Sequence, residues 1–139
     1  MKISACYIVR DEAAVLERSI CSLREAVDEI IVVDPGSIDR TMKIAQTYAS
    51  FVYQYPWQQD FAAARNFALE QVHGDWIIFL DADEYFSEET AKNLRFVVEH
   101  STAEALGINI INYDKDNEKV LVAFFALRAF KRQADICYV

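Results

Sequence analysis

Two periodicities alternate along the chain. An apolar, β-forming run at 3–9 is followed by Leu16, Ile20, Leu23 and Val27, whose spacing predicts a strand and then an amphipathic helix. Residues 29–33 contain the string Ile30-Ile31-Val32-Val33, a β-branched run of the kind buried on both faces of a parallel sheet. Asp34-Pro35-Gly36-Ser37 then turns the chain, and Ser37 or Asp39 is placed to cap a helix running to about Ser50. Residues 51–55 predict a third strand. Pro56 opens a loop ending near Asp60, after which Phe61, Ala64 and Ala68 stripe a helix that Gly74 ends. Residues 76–80 predict a fourth strand, and Ser87 caps a helix that carries Glu88 and Glu89 in its first turn and ends near Ser101. Two strand-like runs, 105–113 and 119–130, flank the polar segment Asp114-Lys115-Asp116-Asn117-Glu118 and predict a hairpin.

This order predicts an α/β domain: a Rossmann-like, mostly parallel sheet sandwiched by helices, with a C-terminal antiparallel hairpin. One domain accounts for 1–139. Open sheets of this class bind ligands beyond the carboxyl ends of their strands, near the point where strand order reverses. Asp11-Glu12, Asp34 and Asp81/Asp83 each follow a predicted strand, so the pattern predicts a carboxylate-lined crevice.

Composition narrows what the crevice binds. With 14 Lys+Arg against 22 Asp+Glu the net charge is −8, and no basic run offers nucleic acid or an anionic membrane a positive face. An anionic substrate therefore needs a bridging cation. Only three glycines are present, too few for a Gly-rich phosphate loop. The longest apolar run, 120–127, is far short of the ~20 residues that span a bilayer, and the first residues lack a signal-peptide pattern, so we read a cytoplasmic protein. Cys6, Cys21 and Cys137 show no Cys-x-x-Cys spacing and read as small buried apolar residues. His73 and His100 read as cations at helix C-termini.

Asp81-Ala82-Asp83 places two carboxylates in one turn, where both reach one point. That arrangement suits Mn2+ or Mg2+, hard ions held by one or two carboxylates plus the substrate's phosphates, or else the acids only solvate the turn and face the next helix's N-terminus. Asp34 either bonds its own turn or accepts from a nucleobase N–H or ribose hydroxyl. Arg65 is either part of a site with Asp60 and Asn66 or a surface cation paired with Asp60 or Glu70. Trp57, Tyr53 and Tyr55 either pack in the core or stack on a base or sugar.

Four blocks together resemble glycosyltransferase family 2. They are Ile8-Val9-Arg10-Asp11-Glu12, Val32-Val33-Asp34-Pro35-Gly36-Ser37-Ile38-Asp39-Arg40-Thr41, Asp60-Phe61-Ala62-Ala63-Ala64-Arg65-Asn66-Phe67-Ala68 and Phe79-Leu80-Asp81-Ala82-Asp83-Glu84. The resemblance implies a GT-A fold, a nucleotide-diphosphate-sugar donor with UDP as the favoured nucleotide, a divalent metal, and transfer to an acceptor hydroxyl with inversion. It implies that Ile8, Arg10 and Glu12 contact base and ribose and that Asp34 is the base-binding acid. It makes Asp60, Arg65 and Asn66 donor-side residues, counts Ala82 among the nucleotide-sugar contacts, sets Asp81 against ribose or metal, and makes Asp83 the principal metal ligand, with Asp81 beside it.

Three residues depart from the pattern: Asp11 stands for the usual Asn, Pro35 for Thr, Asn or Asp, and Ile38 for Thr. The first bears on base contacts, the others on a turn. Leu127-Arg128-Ala129-Phe130-Lys131-Arg132 resembles the stretch before the segment that carries the family's general base, so the expectation is a donor-binding part of a longer enzyme, truncated before that base. Two other readings compete: a haloacid-dehalogenase-like phosphatase, poorly matched because Tyr85 stands where that class wants Thr or Val, and a non-catalytic Mg-binding signalling or binding module, which lacks a phosphoacceptor Asp at Tyr55-Pro56.

Overall fold

A computed structural model of the chain describes residues 1–114, 116 and 119–139. Strands β1 (Ile3–Ile8), β2 (Glu29–Asp34), β3 (Phe51–Gln54) and β4 (Trp76–Leu80) alternate with helices α1 (Leu16–Leu23), α2 (Thr41–Tyr48), α3 (Phe61–Gln71) and α4 (Glu88–His100). Strands β5 (Ala105–Tyr113) and β6 (Val120–Lys131) follow. One six-stranded sheet results, in the order β3-β2-β1-β4-β6-β5. β1 to β4 are mutually parallel, and β6 runs antiparallel to both β4 and β5. The predicted α/β architecture and hairpin are therefore present; Lys115, Asn117 and Glu118 of the predicted turn lie outside the described residues.

The sheet is filled from both sides, which is why β1, β2 and β4 tolerate no polar alternation. One core packs Ile3, Tyr7, Leu16, Ile20, Val32, Trp76 and Ile78 under α1, α2 and α4; a second packs Cys6, Ile31, Val33, Ala68, Ile77 and Phe79 against α3. Capping defines two helices: Asp60 Oδ1 accepts from Ala63 N at 3.2 Å, and Ser87 Oγ from Thr90 N at 3.2 Å. Among the described residues no helix is long and apolar enough to cross a membrane.

Several local expectations change. Arg40 occupies the N-cap position of α2 without a side-chain cap; Asp39, one residue earlier, accepts from the N of Thr41, the first helical residue, at 2.9 Å, while Ser37 is committed to the loop after β1. Phe61 turns outward and leaves the buried stripe of α3 to Ala64 and Ala68. Gly74 ends nothing by a left-handed turn; it lies so close to Ser4 and the Lys2 carbonyl that a side chain would collide there. Cys6 is buried, whereas Cys21 and Cys137 are exposed, Cys21 because it lies off the Leu16–Ser19–Ile20–Leu23 face of α1. His73 meets a buried carboxylate rather than a helix end: its Nδ1 is 3.0 Å from Glu29 Oε2 and its backbone N donates to Oε1 at 2.6 Å. His100 does sit in the last turn of α4, with Nδ1 at 2.8 Å from the Phe96 carbonyl.

Candidate functional site

The chain extends the sheet from β1 to β2 and β3, then returns to the other side of β1 with β4, so strand order reverses between β1 and β4. A parallel sheet opens a crevice at the carboxyl ends of such a pair. Beyond those ends lies a cleft of about 430 Å³, lined by Ile8 at the end of β1, by Arg10 and Glu12 after it, and by Asp81, Ala82 and Asp83 after β4. Pro35, Trp57 and Phe61 close its other side. A second hollow of about 320 Å³, bordered by Arg24, Asp28 and Tyr48, gathers none of the predicted site residues.

The loop after β1 is stitched to the loop after β2. Asp11 has a left-handed backbone, φ 53°, a region Asp tolerates because its short side chain can bond locally. Its N donates to Ser37 Oγ at 2.9 Å, and its Oδ1 accepts from Ile38 N and Asp39 N at 2.8 and 3.3 Å. Glu12 N donates to Thr41 Oγ1 at 2.8 Å and Ala13 N to Asp39 Oδ2 at 3.2 Å. Asp in place of Asn at position 11 thus serves the loop, which in turn presents Arg10 and Glu12 to the cleft. The Ile38 side chain stands exposed on the same loop.

Asp34 is 2% exposed, and its two oxygens differ. Oδ1 accepts from Gly36 N at 2.8 Å and Ser37 N at 2.7 Å, while Oδ2 is buried without a hydrogen-bond partner. Both readings of this residue therefore find an atom: one oxygen builds the turn and the other is unclaimed. An unsatisfied buried carboxylate oxygen is costly and uncommon in native proteins.

Negative charge converges on the cleft. Burial pushes the Glu12 carboxyl up, and Asp83, Asp39, Asp81 and Asp11 push it further. Burial also raises Glu84, against the Asp81 N–H and Arg128, which lower it. Glu84 Oε1 accepts from Asp81 N at 2.8 Å, and its Oε2 is 3.0 Å from Arg128 Nη2, which also lies 3.7 Å from Asp81 Oδ2. Carboxylate oxygens in this number suit a hard divalent cation, although among the described residues no group of three or more His, Cys, Asp or Glu stands ready to hold one alone.

Other predicted residues lie outside the cleft lining. Asp60 caps α3. Asn66 Nδ2 donates to the Tyr138 carbonyl at 2.9 Å and Tyr138 N donates back to Oδ1 at 2.6 Å, so both ends of the amide are occupied. Arg65 lies over the rings of Tyr138 and Phe61, at 5.3 and 5.9 Å from their centroids, and forms no ion pair with Asp60 or Glu70. Tyr53 and Tyr55 pack on Phe67, whereas Trp57 meets Phe61 edge-on at 4.8 Å and walls the cleft. Phe61 and Arg128 were not legible as site residues. For Phe61 a signal is two large rings four residues apart, Trp57 and Phe61, flanking the polar segment Gln58-Gln59-Asp60.

The sequence profile described as Glycosyl transferase family 2 matches residues 4–137. An uncharacterized glycosyltransferase of Rickettsia bellii is 38% identical over 96 residues, 69% of this chain and 32% of its own length. S. aureus TarS 1–349, solved with UDP-GlcNAc, superposes with a TM-score of 0.60 at 25% identity, covering 76% of this chain and 33% of TarS 1–349. Glucosyl-3-phosphoglycerate synthase from Mycobacterium tuberculosis, solved with Mn2+, UDP and glucosyl-3-phosphoglycerate, gives 0.60 at 23%, covering 73% and 40%. The chain spans about a third of the length of the curated relatives it matches first.

Proposed function

The chain belongs to glycosyl transferase family 2, and from that membership we propose that it binds a nucleotide-diphosphate sugar, UDP-linked, in the β1/β4 cleft for inverting transfer to an acceptor hydroxyl. Its sheet has the GT-A arrangement. The reading is carried by one observation: Ile8, Arg10, Glu12, Asp81, Ala82 and Asp83, drawn from two blocks about 70 residues apart, line a single cleft at the strand-order reversal. TarS and the mycobacterial synthase, solved with UDP-GlcNAc and with UDP, favour uridine.

Arg10 and Ile8 hold base and ribose, with Glu12 beside them, and Asp34 Oδ2 supplies the acceptor for a base N–H. Trp57 and Phe61 offer an apolar wall to base or sugar. Asp83 is the principal ligand of Mn2+ or Mg2+ and Asp81 the second; the donor set is all oxygen, as such ions prefer. A bound ion would offset the donor's phosphates and stabilise the departing diphosphate. Asp60, Arg65 and Asn66 support the donor side through α3 and the Tyr138 segment. We propose a cytoplasmic setting for the protein.

Thermal-shift titration tests this with UDP and GDP, each with Mn2+, Mg2+ or chelator. UDP should raise the melting temperature only when metal is present, and Asp83→Ala should remove that metal dependence. A wild-type chain indifferent to every nucleotide–metal pair would refute the proposal.

A further inference from the structure

Beside Arg10 in the cleft lining, the acids that follow β4 meet a second cation, Arg128, which sits at an irregularity in β6. Pairing with β5 runs regularly from Val122 to Leu127, which faces Gly107, and resumes with Ala129 facing Leu106, leaving Arg128 as the extra residue of a β-bulge. A bulge bends its strand and re-aims one side chain. Here the guanidinium reaches past β4, with Nη2 at 3.0 Å from Glu84 Oε2 and 3.7 Å from Asp81 Oδ2. Glu84 in turn holds the Asp81 N–H. Asp83 has no hydrogen-bond or ion-pair partner among the described residues. The two members of the acidic pair are therefore unequal: one is engaged by Arg128, the other is free.

We propose that Arg128 is a positioning residue and built-in counter-cation, which keeps the nucleotide-free Asp81/Asp83 pair from retaining a divalent ion and so makes metal uptake depend on the donor's diphosphate. The inference rests on the donor-site reading above. A guanidinium stays charged at any working pH and its fork can release Asp81 while keeping Glu84, the closer partner. Two carboxylates, one of them already neutralised, are a weak site for an ion that gives up water reluctantly. Diphosphate oxygens supply the missing negative charge and ligands together.

Mn2+ titration followed by the electron paramagnetic resonance signal of the free ion tests this on the whole chain, with and without UDP. The wild-type chain should take up Mn2+ weakly alone and far more tightly with UDP. Arg128→Gln should bind Mn2+ without UDP about tenfold more tightly, the size expected from removing a unit charge roughly 6 Å from a divalent ion at near-aqueous dielectric. Arg128→Lys, which keeps the charge, should behave as wild type; a purely structural role would not be rescued in this way. Arg128→Gln binding no more tightly than wild type, or Arg128→Lys matching Arg128→Gln, would overturn the inference while leaving the donor site intact. If Arg128→Gln does not fold, the wild type still decides: tight Mn2+ binding without UDP overturns the counter-cation role. Failure of wild type to bind UDP with Mn2+ would instead overturn the donor reading itself.

Discussion

An Asp34→Asn substitution leaves the turn after β2 intact and changes only the oxygen that has no partner. Oδ1 continues to accept from Gly36 N and Ser37 N, at 2.8 and 2.7 Å, while the unclaimed Oδ2 becomes an NH₂ group. Under the proposed function, in which Oδ2 accepts from a base N–H, the substitution sets a donor against a donor. A hydrogen bond to a charged group contributes about 1.5–3 kcal/mol, so UDP affinity should fall roughly 10- to 150-fold. Stability should change by no more than about 1 kcal/mol, since every hydrogen bond that Asp34 makes within the fold survives. Calorimetric titration with UDP at saturating Mn2+ measures the first quantity and urea melting the second. A folded Asp34→Asn protein that binds UDP within twofold of wild type would refute the reasoning, because the buried oxygen would then serve something other than the nucleotide.

Other consequences follow from the rest of the fold. Gly74→Ala should destabilise by about 1–3 kcal/mol, because the added methyl meets Ser4 Oγ and two backbone atoms, the Lys2 carbonyl and Ser4 N, both at 2.9 Å, that have little room to move; a melting temperature lower by roughly 3–10 °C would show it. Burial pushes the Glu29 carboxyl up, but hydrogen bonds from Ser4 and from His73 outweigh it and hold the group below its ordinary value of 4.5. Its folded value being depressed, the stabilisation is complete above the unfolded value and is lost as pH falls through the folded one. Urea midpoints should therefore drop on acidification below about pH 4.5, and Glu29→Gln should flatten that limb relative to wild type; identical acid limbs would show that the network contributes nothing.

What the amino-acid order determined was everything governed by neighbours a few residues apart. Ile30-Ile31-Val32-Val33 has no polar face to show to water and so makes a fully buried central strand, and Asp60 and Ser87 start helices by satisfying the N–H groups immediately after them. Because those strands end where they do, the acids behind them fall at one edge of the sheet, and Glu12, Asp81 and Asp83 could be expected to share a crevice. Register and long-range packing decided the rest. Arg128 reaches Asp81 because β6 pairs with β4 beside it, and Asn66 is occupied because Tyr138, 72 positions later, passes alongside it. Likewise Asp34 holds one satisfied and one unsatisfied oxygen because Gly36 and Ser37 can reach only one side of it. Periodicity reports which face of a segment is dry, but which atoms meet across the sheet depends on how its strands are paired, and that is set by the whole core at once.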